Sequence, residues 1–182
     1  MVKIHQEAAP SEFEGTIIDI ETIGEFSRAY SNSDSRQYKE MTPVIFGFIN
    51  SDGLTILCAK NKESIGLLKD KINEQLEALE RPFHAYNCSF ERGVLYHSLN
   101  KEIIFERELQ EIPYEKKKTA VARMGIQQYD DPFNDEGKLC PGAWLEGRIE
   151  TAMAHNRSCL LKERDILLKK GFREPDRLEF VG

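Results

Sequence analysis

The sequence contains no long apolar run, and this absence limits where the protein acts. Within its 182 residues, no stretch approaches the roughly 18 consecutive apolar residues that a transmembrane helix requires. The opening residues, Met1 to Gln6, also lack the apolar core of a secretory signal peptide. We therefore expect no association with a membrane and a cytoplasmic location.

Closely spaced cysteines are also missing. The four cysteines (Cys58, Cys88, Cys140 and Cys159) are scattered along the chain and form no C-x-x-C pair. This spacing argues against a zinc cluster and against a disulfide framework, so we expect reduced thiols.

An excess of basic residues, the usual sign of a protein that coats nucleic acid, is absent as well. The formal net charge is −6. This value does not exclude a nuclease, because bound metal ions would neutralise several of the acids. Internal repeats and low-complexity linkers are lacking too, and the hydrophobic content of 40% is sufficient for a core. We therefore expect a single domain over residues 1–182.

The most informative segment that is present is the β-branched apolar run from Thr16 to Thr22, which contains two carboxylates. Such a run favours a strand, and alternate side chains of a strand share a face. Asp19 and Glu21 therefore point the same way. Two neighbouring carboxylates in a buried strand repel each other, and a divalent cation such as Mg²⁺ or Mn²⁺ offsets that cost. The alternative is an edge strand whose polar face is solvated.

Apolar periodicity and turn signals predict an α/β protein in which helices cover a mixed sheet. Loops are expected at 24–42 and 127–142, and Asp52-Gly53 marks a hairpin turn. We predict strands at 16–22, 43–50, 54–59, 83–86 and 103–105, and helices at 64–79, 89–99, 116–124, 143–154 and 156–170.

A second polar group stands where a predicted strand meets a predicted helix, in the segment Ala85-Tyr86-Asn87-Cys88-Ser89-Phe90-Glu91. Catalytic groups of open α/β sheets concentrate at such strand ends. Taken alone, Asn87 is a good helix N-cap and Glu91 is an acid that suits the first turn of a helix. Beside the strand that carries Asp19 and Glu21, Asn87 and Glu91 can also be interpreted as functional residues.

Together the two segments resemble the first two motifs of the DEDD 3′–5′ exonucleases of the RNase H-like superfamily. The first motif of that family is D-x-E, here Asp19 and Glu21. The second is commonly H-N-x-x-F-D, and here Glu91 takes the place of the aspartate. The run from Lys118 to Ile126 is similar to a basic segment of the predicted ribonuclease H-like exonuclease branch. The resemblance implies an RNase H-like fold: a five-stranded mixed sheet, its first three strands antiparallel, with helices on both faces.

The third motif of that branch has the form Y-N-x-x-D, and the last predicted helix matches it in part. His155 and Asn156 fit the pattern, but Cys159 stands where the aspartate is expected. A thiol is a poor Mg²⁺ ligand. Two nearby acids are candidate replacements, Glu163 and Asp165. The metal ligands implied by the resemblance are therefore Asp19, Glu21 and Glu91, with Glu163 or Asp165 from the last helix.

The activity implied by the resemblance is hydrolysis of phosphodiester bonds in DNA or RNA at a single-stranded or frayed 3′ end. Two Mg²⁺ or Mn²⁺ ions are expected, with one possible. His155 would position or deprotonate the attacking water, although a partly buried structural histidine is the alternative. The residues expected to contact the substrate are Thr22, Asn87, Asn156 and Arg157.

The basic residues allow two interpretations. Lys116-Lys117-Lys118 and the lysines and arginines of the last helix would bind phosphates in a groove. They would equally form solvated helix faces, because acids are interspersed among them.

Three functions therefore remain open from the sequence. The first is a metal-dependent 3′–5′ exonuclease. The second is a catalytically impaired relative that keeps the fold and binds nucleic acid or a protein partner, as Cys159 and Glu91 suggest. The third is a different phosphotransfer or hydrolytic enzyme with a metal-binding acidic pocket.

Overall fold

A six-stranded mixed β-sheet lies at the centre of this computed structural model, which describes residues 1–9 and 11–182. The strands stand in the order β1-β4-β3-β2-β5-β6. Neighbours among the first four positions are antiparallel, whereas β5 runs parallel to β2 and β6 parallel to β5. The strands are β1 (Val2–Glu7), β2 (Thr16–Ile23), β3 (Thr42–Asn50), β4 (Gly53–Ala59), β5 (Phe83–Ala85) and β6 (Arg107–Glu108).

Within residues 1–9 and 11–182, five α-helices accompany the sheet. Across the described residues, no helix combines the length and the apolar character needed to span a membrane. The longest helix is the last one, and it contacts β2, β3 and β4. The helices are α1 (Ile65–Ala78), α2 (Cys88–Leu99), α3 (Lys117–Met124), α4 (Cys140–Leu145) and α5 (Ile149–Lys170).

Both faces of the sheet are covered. Every residue of β3 from Pro43 to Asn50 is buried, which requires packing on each side of the strand because its side chains alternate. Helix α5 covers the face that contains Gly47, since a side chain at Gly47 would collide with Asn156 and Leu160. Helices α1 and α2 contact each other and also contact β3, and they cover the opposite face.

Local sequence explains the hairpin between β3 and β4. Asn50 pairs with Gly53 across the turn, and the Asn50 side chain accepts a hydrogen bond from the Asp52 backbone at 3.0 Å. Gly53 has a φ of +129° and a Cβ there would lie 2.6 Å from the Glu7 carbonyl oxygen. Glycine is therefore needed at this turn, both for its backbone conformation and for the close approach of β1.

The expectation of an α/β protein with a mixed sheet is confirmed, and so is antiparallel pairing of the first three predicted strands, which are β2, β3 and β4. The expected count of five strands is wrong, because β1 adds a sixth at the edge beside β4. Four of its six residues are only partly buried, so the segment lacks the apolar run that marks an inner strand.

The fifth predicted strand also lies elsewhere in the structure. The strand predicted at 103–105 is not paired; the pairing segment comes just after it, at β6. Ile103 and Phe105 are nevertheless buried, so their apolar character reflects core packing rather than pairing. Sequence periodicity does not distinguish these two causes in so short a run.

The predicted break between helices at 154–156 is also wrong. Helix α5 runs without interruption from Ile149 to Lys170, and the true break follows α4. There Gly147, with a φ of +78°, donates to Trp144, and Arg148 donates to the Ala143 carbonyl. A glycine with positive φ commonly ends a helix in this way.

The packing of α5 on Gly47 can be tested by substitution. We expect Gly47→Ala to lower the free energy of unfolding by about 1–3 kcal/mol, because the added methyl group overpacks the contact with α5. Gly66→Ala is the matched control, since a Cβ at this exposed helix position meets nothing within 4 Å. We expect Gly66→Ala to be neutral or stabilising. Urea unfolding measures both, and equal effects would contradict this description of the interface.

Candidate active site at the end of strand β2

A cavity of about 470 Å³ lies beside the last residues of β2. Its walls come from elements that are distant in sequence: the end of β2, the start of α2, the start of α3, and α5. The residues predicted from the first two motifs and the histidine of the third therefore line one cavity. These lining residues include Asp19, Glu21, Thr22, Asn87, Glu91, Lys117, His155 and Cys159.

The sheet register orients the acids of β2 toward α5. Asp19 pairs with Gly47 of β3, and Gly47 lies directly beneath Asn156 of α5. The register shifts between Glu21 and Thr22. Such an irregularity bends a strand and re-aims its side chains, and it occurs often next to functional sites.

Asp19 is held by two donors. Its Oδ2 accepts a hydrogen bond from Asn156 Nδ2 at 2.7 Å, and its Oδ1 accepts one from Lys117 Nζ at 3.0 Å. Asn156 is completely buried. The structure therefore places Asn156 as the residue that orients Asp19, rather than as a residue on the cavity surface.

Lys117 is one of three residues at the site that the sequence did not predict. Its ammonium lies between two acids, 3.0 Å from Asp19 Oδ1 and 2.5 Å from Glu163 Oε1. Burial on its own would lower the pKa of Lys117, but the neighbouring Asp19, Cys159 and Glu163 raise it well above its ordinary value. An available signal was helical spacing, because Lys117 shares a helix face with Ala120 and Val121, which are both buried.

Glu163 and Glu91 each have an unsatisfied buried oxygen. Among the residues that the structure describes, none makes a hydrogen bond with Glu163 Oε2 or Glu91 Oε2. Burial raises the pKa of both carboxyls well above the ordinary range, and the nearby Asp19 carboxylate adds to each shift. Buried unpaired acceptors are rare in proteins because each one costs free energy. The raised pKa values favour the protonated form of both carboxyls, and a cation bound beside them would take the place of those protons.

Glu21 faces His155 across the cavity. Its Oε1 lies 3.7 Å from His155 Nε2. Burial raises the pKa of Glu21 to about 7, an effect that the Asp19 carboxylate reinforces and that His155 opposes. At neutral pH the ionised and neutral forms of this carboxyl therefore coexist.

A buried network behind the cavity orients His155. Its Nδ1 lies 2.7 Å from Asp131 Oδ1, and the fully buried Lys162 donates to Asp131 Oδ2 and Asp135 Oδ1, each at 2.7 Å. Burial on its own would raise the pKa of Asp131, but His155 and Lys162 lower it below its ordinary range. The pKa of His155 is raised above its ordinary value. Burial lowers this pKa, but Cys159 and Asp131 beside the ring raise it by more.

Sequence reasoning also missed Asp131 and Lys162. Asp131 belongs to an acidic loop whose sequence carries no periodic signal. Lys162 follows Cys159 and His155 at spacings of three and seven residues, so it shares their helix face. That spacing was the available signal for Lys162.

Two predicted site residues lie outside the cluster. Asp165, expected as a possible metal ligand, accepts from the Tyr129 hydroxyl and from Arg164. Arg157, expected to bind substrate, donates to Glu7 of β1 at 2.7 Å. Helical geometry explains both, because these residues point away from the α5 face that carries His155 and Cys159. Of the two acids proposed to replace the third-motif aspartate, Glu163 is the one beside Asp19.

The other two residues predicted to contact the substrate, Thr22 and Asn87, lie at the cavity. Thr22 is buried in its wall and Asn87 is exposed at its rim. Asn87 occupies the N-cap position of α2, but its side chain makes no capping hydrogen bond. Its amide is therefore not committed to the helix end.

Comparison of the chain with protein-family models, with curated proteins and with solved structures finds no match.

The raised pKa of Glu21 predicts a pH-dependent effect of Glu21→Gln. Because the folded pKa of about 7 exceeds the ordinary 4.5, the stability associated with this carboxyl is complete below pH 4.5 and is lost as the pH rises through about 7. In a chelating buffer, we expect Glu21→Gln to match the natural chain at pH 4.5. At pH 8 it should be more stable by roughly 2–3 kcal/mol.

Urea unfolding at both pH values measures this difference. Glu74→Gln, at an exposed position of α1, is the control and should show no change with pH. If Glu21→Gln changes the stability equally at pH 4.5 and pH 8, the raised pKa of Glu21 is contradicted.

The buried ion pairs of Lys162 predict a large cost of removing its charge. We expect Lys162→Met to reduce the free energy of unfolding by about 3 kcal/mol or more, because two carboxylates lose their buried partner. Lys170→Met, at an exposed position of the same helix, should cost less than about 1 kcal/mol. Thermal and urea unfolding test this, and equal losses for the two variants would refute a structural role for the network.

Proposed function

We propose that this chain is a metal-dependent 3′–5′ exonuclease that hydrolyses phosphodiester bonds of DNA or RNA. The observation that carries the proposal is the common cavity of Asp19, Glu21, Glu91 and His155. These residues belong to three separate motifs, and their convergence is what the resemblance to the DEDD exonucleases implies.

The sheet supports the same proposal. Strands β2, β3 and β4 are antiparallel, and β5 and β6 follow in parallel alignment beside β2. This five-strand part agrees with the RNase H-like arrangement that we expect from the resemblance. Strand β1 is then an addition at the outer edge.

The donor set fits a hard divalent cation. Carboxylate oxygens are the ligands that Mg²⁺ and Mn²⁺ prefer. Glu91 Oε2 and Glu163 Oε2 are buried, and no residue of 1–9 or 11–182 makes a hydrogen bond with either oxygen. We propose that Asp19, Glu21, Glu91 and Glu163 hold the ions, with Glu163 taking the role of the missing third-motif aspartate. Two ions are expected and one is possible, because Lys117 already supplies one positive charge to the cluster.

A bound divalent ion would supply an activated water and would neutralise charge on the scissile phosphate. Three residues of the chain would position the reacting groups and balance the charge. His155, oriented by Asp131 and with a raised pKa, suits a hydrogen-bond donor that positions the water or a phosphate oxygen. Asn156 keeps Asp19 in place. Lys117 compensates the buried negative charge.

The rest of the cavity wall supports a nucleotide as the ligand. Phe26, Tyr38, Tyr86 and Phe90 contribute aromatic surface next to the acids. Unpaired bases stack on such side chains without strong sequence preference. The volume of about 470 Å³ lies within the ordinary range of small-ligand sites. We therefore propose that the end of a single strand enters this cavity, with Thr22 and Asn87 at its wall and rim.

A catalytically impaired relative is the second candidate. The observation that favours it is Lys117, whose ammonium occupies the space between Asp19 and Glu163, together with Cys159 at the third-motif position. A protein of this kind would bind nucleic acid or a protein partner without cleaving it.

Glu91→Gln provides the sharpest test of the exonuclease proposal. We expect cleavage of 3′-labelled single-stranded DNA or RNA with Mn²⁺ to fall at least about 100-fold, because an ion ligand is lost. In a chelating buffer the same variant should be as stable as the natural chain or more so, because a buried carboxyl is replaced by a neutral amide. Asp165→Asn is the matched control, and it should retain activity within about twofold.

Three outcomes would overturn the proposal. Absence of cleavage by the natural chain, with oligonucleotide binding retained, would support the impaired relative. Activity on nucleotides or phosphate monoesters alone would support a different hydrolase. Equal cleavage by Glu91→Gln and the natural chain would remove Glu91 from the site.

A further inference from the structure

We infer that Glu21, His155 and Cys159 form a site for a softer transition-metal ion, of which Zn²⁺ is the representative. Across residues 1–9 and 11–182, these three side chains are the group whose ligand atoms lie within 4.8 Å of one another. The binding itself is independent of the exonuclease proposal; only its consequence for catalysis rests on that function.

The spacing of the three ligand atoms suits a tetrahedral ion. Cys159 Sγ lies 3.7 Å from His155 Nε2, which in turn lies 3.7 Å from Glu21 Oε1. Zinc bonds of about 2.0–2.3 Å at tetrahedral angles place neighbouring ligand atoms about 3.3–3.6 Å apart. Small side-chain adjustments would therefore be enough to close this site around an ion.

The chemistry of the donors selects the type of ion. One sulfur, one imidazole nitrogen and one carboxylate oxygen suit Zn²⁺ and its relatives, whereas Mg²⁺ prefers oxygen alone. The replacement of the third-motif aspartate by Cys159 therefore changes the preferred metal and does not merely delete a ligand. Widely spaced cysteines do not exclude such a site, because its ligands come from β2 and α5 rather than from a C-x-x-C pair.

The surroundings of His155 are those of a metal ligand. His155 and Cys159 are four residues apart on one face of α5. Asp131 engages His155 Nδ1 at 2.7 Å, which leaves Nε2 directed toward Cys159 and Glu21. A carboxylate behind a ligating histidine fixes its ring and strengthens its bond to the metal. Lys162 anchors that carboxylate from the far side.

The site is open on one side. Glu21, His155 and Cys159 all line the cavity, so a fourth coordination position would face it. Three protein ligands with an open fourth position are typical of catalytic zinc sites, whereas structural sites are closed. In the proposed exonuclease, the acids around Asp19 would hold the harder ion and would share Glu21 with the softer one. With the softer ion bound, His155 Nε2 would be a metal ligand instead of a hydrogen-bond donor to the water.

Cobalt titration of the chelator-stripped full chain tests the inference, because Co²⁺ replaces Zn²⁺ and reports a thiolate ligand through a charge-transfer absorption band. We expect the natural chain to show this band at one equivalent and to lose it when Zn²⁺ is added. Cys159→Ser should abolish the band and weaken Zn²⁺ binding at least about tenfold in calorimetry. Cys58→Ala, at a cysteine outside the cavity lining, should retain the band.

Two further variants make the test independent of folding defects. Cys159→Asp should lose the thiolate band and bind Mn²⁺ more tightly than the natural chain, because an oxygen ligand replaces sulfur. Asp131→Asn should keep the band but weaken Zn²⁺ binding by about 10–100-fold. Circular dichroism establishes that each variant is folded before it is titrated.

The outcomes separate this inference from the exonuclease proposal. No thiolate band in the natural chain, or a band that persists in Cys159→Ser, would overturn the zinc site even if Mn²⁺-dependent cleavage is observed. A band that depends on Cys159 would support the zinc site even if the chain cleaves no nucleic acid with any metal.

Discussion

The buried acids of the candidate site depend on the ion pairs of Lys117 with Asp19 and Glu163. Carboxylates gathered in a buried place repel one another and lose hydration, so each raises the free energy of the fold. The Lys117 ammonium, 3.0 Å from Asp19 Oδ1 and 2.5 Å from Glu163 Oε1, offsets part of that cost. The offset is incomplete, because Glu91 Oε2 and Glu163 Oε2 have no hydrogen-bond partner in the described part of the chain. That remaining deficit of positive charge is the physical basis for proposing a cation at this cavity.

Helix α5 is the scaffold that makes the cavity possible. Within about two turns it supplies Asn156 to orient Asp19, His155 and Cys159 to the cavity wall, and Lys162 to the buried network behind it. The helix must approach the sheet closely for these contacts, and the absence of a side chain at Gly47 permits that approach. Packing and site geometry are thus coupled through one helix, because a shift of α5 would move all of these groups together.

Part of the site was predictable from local rules. Alternation along β2 placed Asp19 and Glu21 on one face, whereas Glu91 became a candidate through the family resemblance, since local rules alone favour a structural role for it. The sequence predicts that Lys116, Lys117 and Lys118 together bind phosphates or face solvent, but Lys117 is partly buried whereas its two neighbours are exposed. The side chain turns inward because α3 packs with Ala120 and Val121 toward the core. Helical spacing indicates that Lys117 faces inward, but no local pattern identifies the distant acids with which it pairs.

The sequence by itself determined the α/β class, the hairpin of β3 and β4, and the shared face of Asp19 and Glu21, because each depends on side-chain periodicity or on a turn signal. The antiparallel pairing of β2 with β3 and the choice of Glu91 as a candidate acid came from the family resemblance. Only the tertiary structure decided that Glu163 rather than Asp165 lies beside Asp19, and that Asp131 stands behind His155. It also decided that β1 completes the sheet. Those outcomes depend on the rotation of α5 about its axis and on contacts between residues far apart in the chain, which no local pattern encodes.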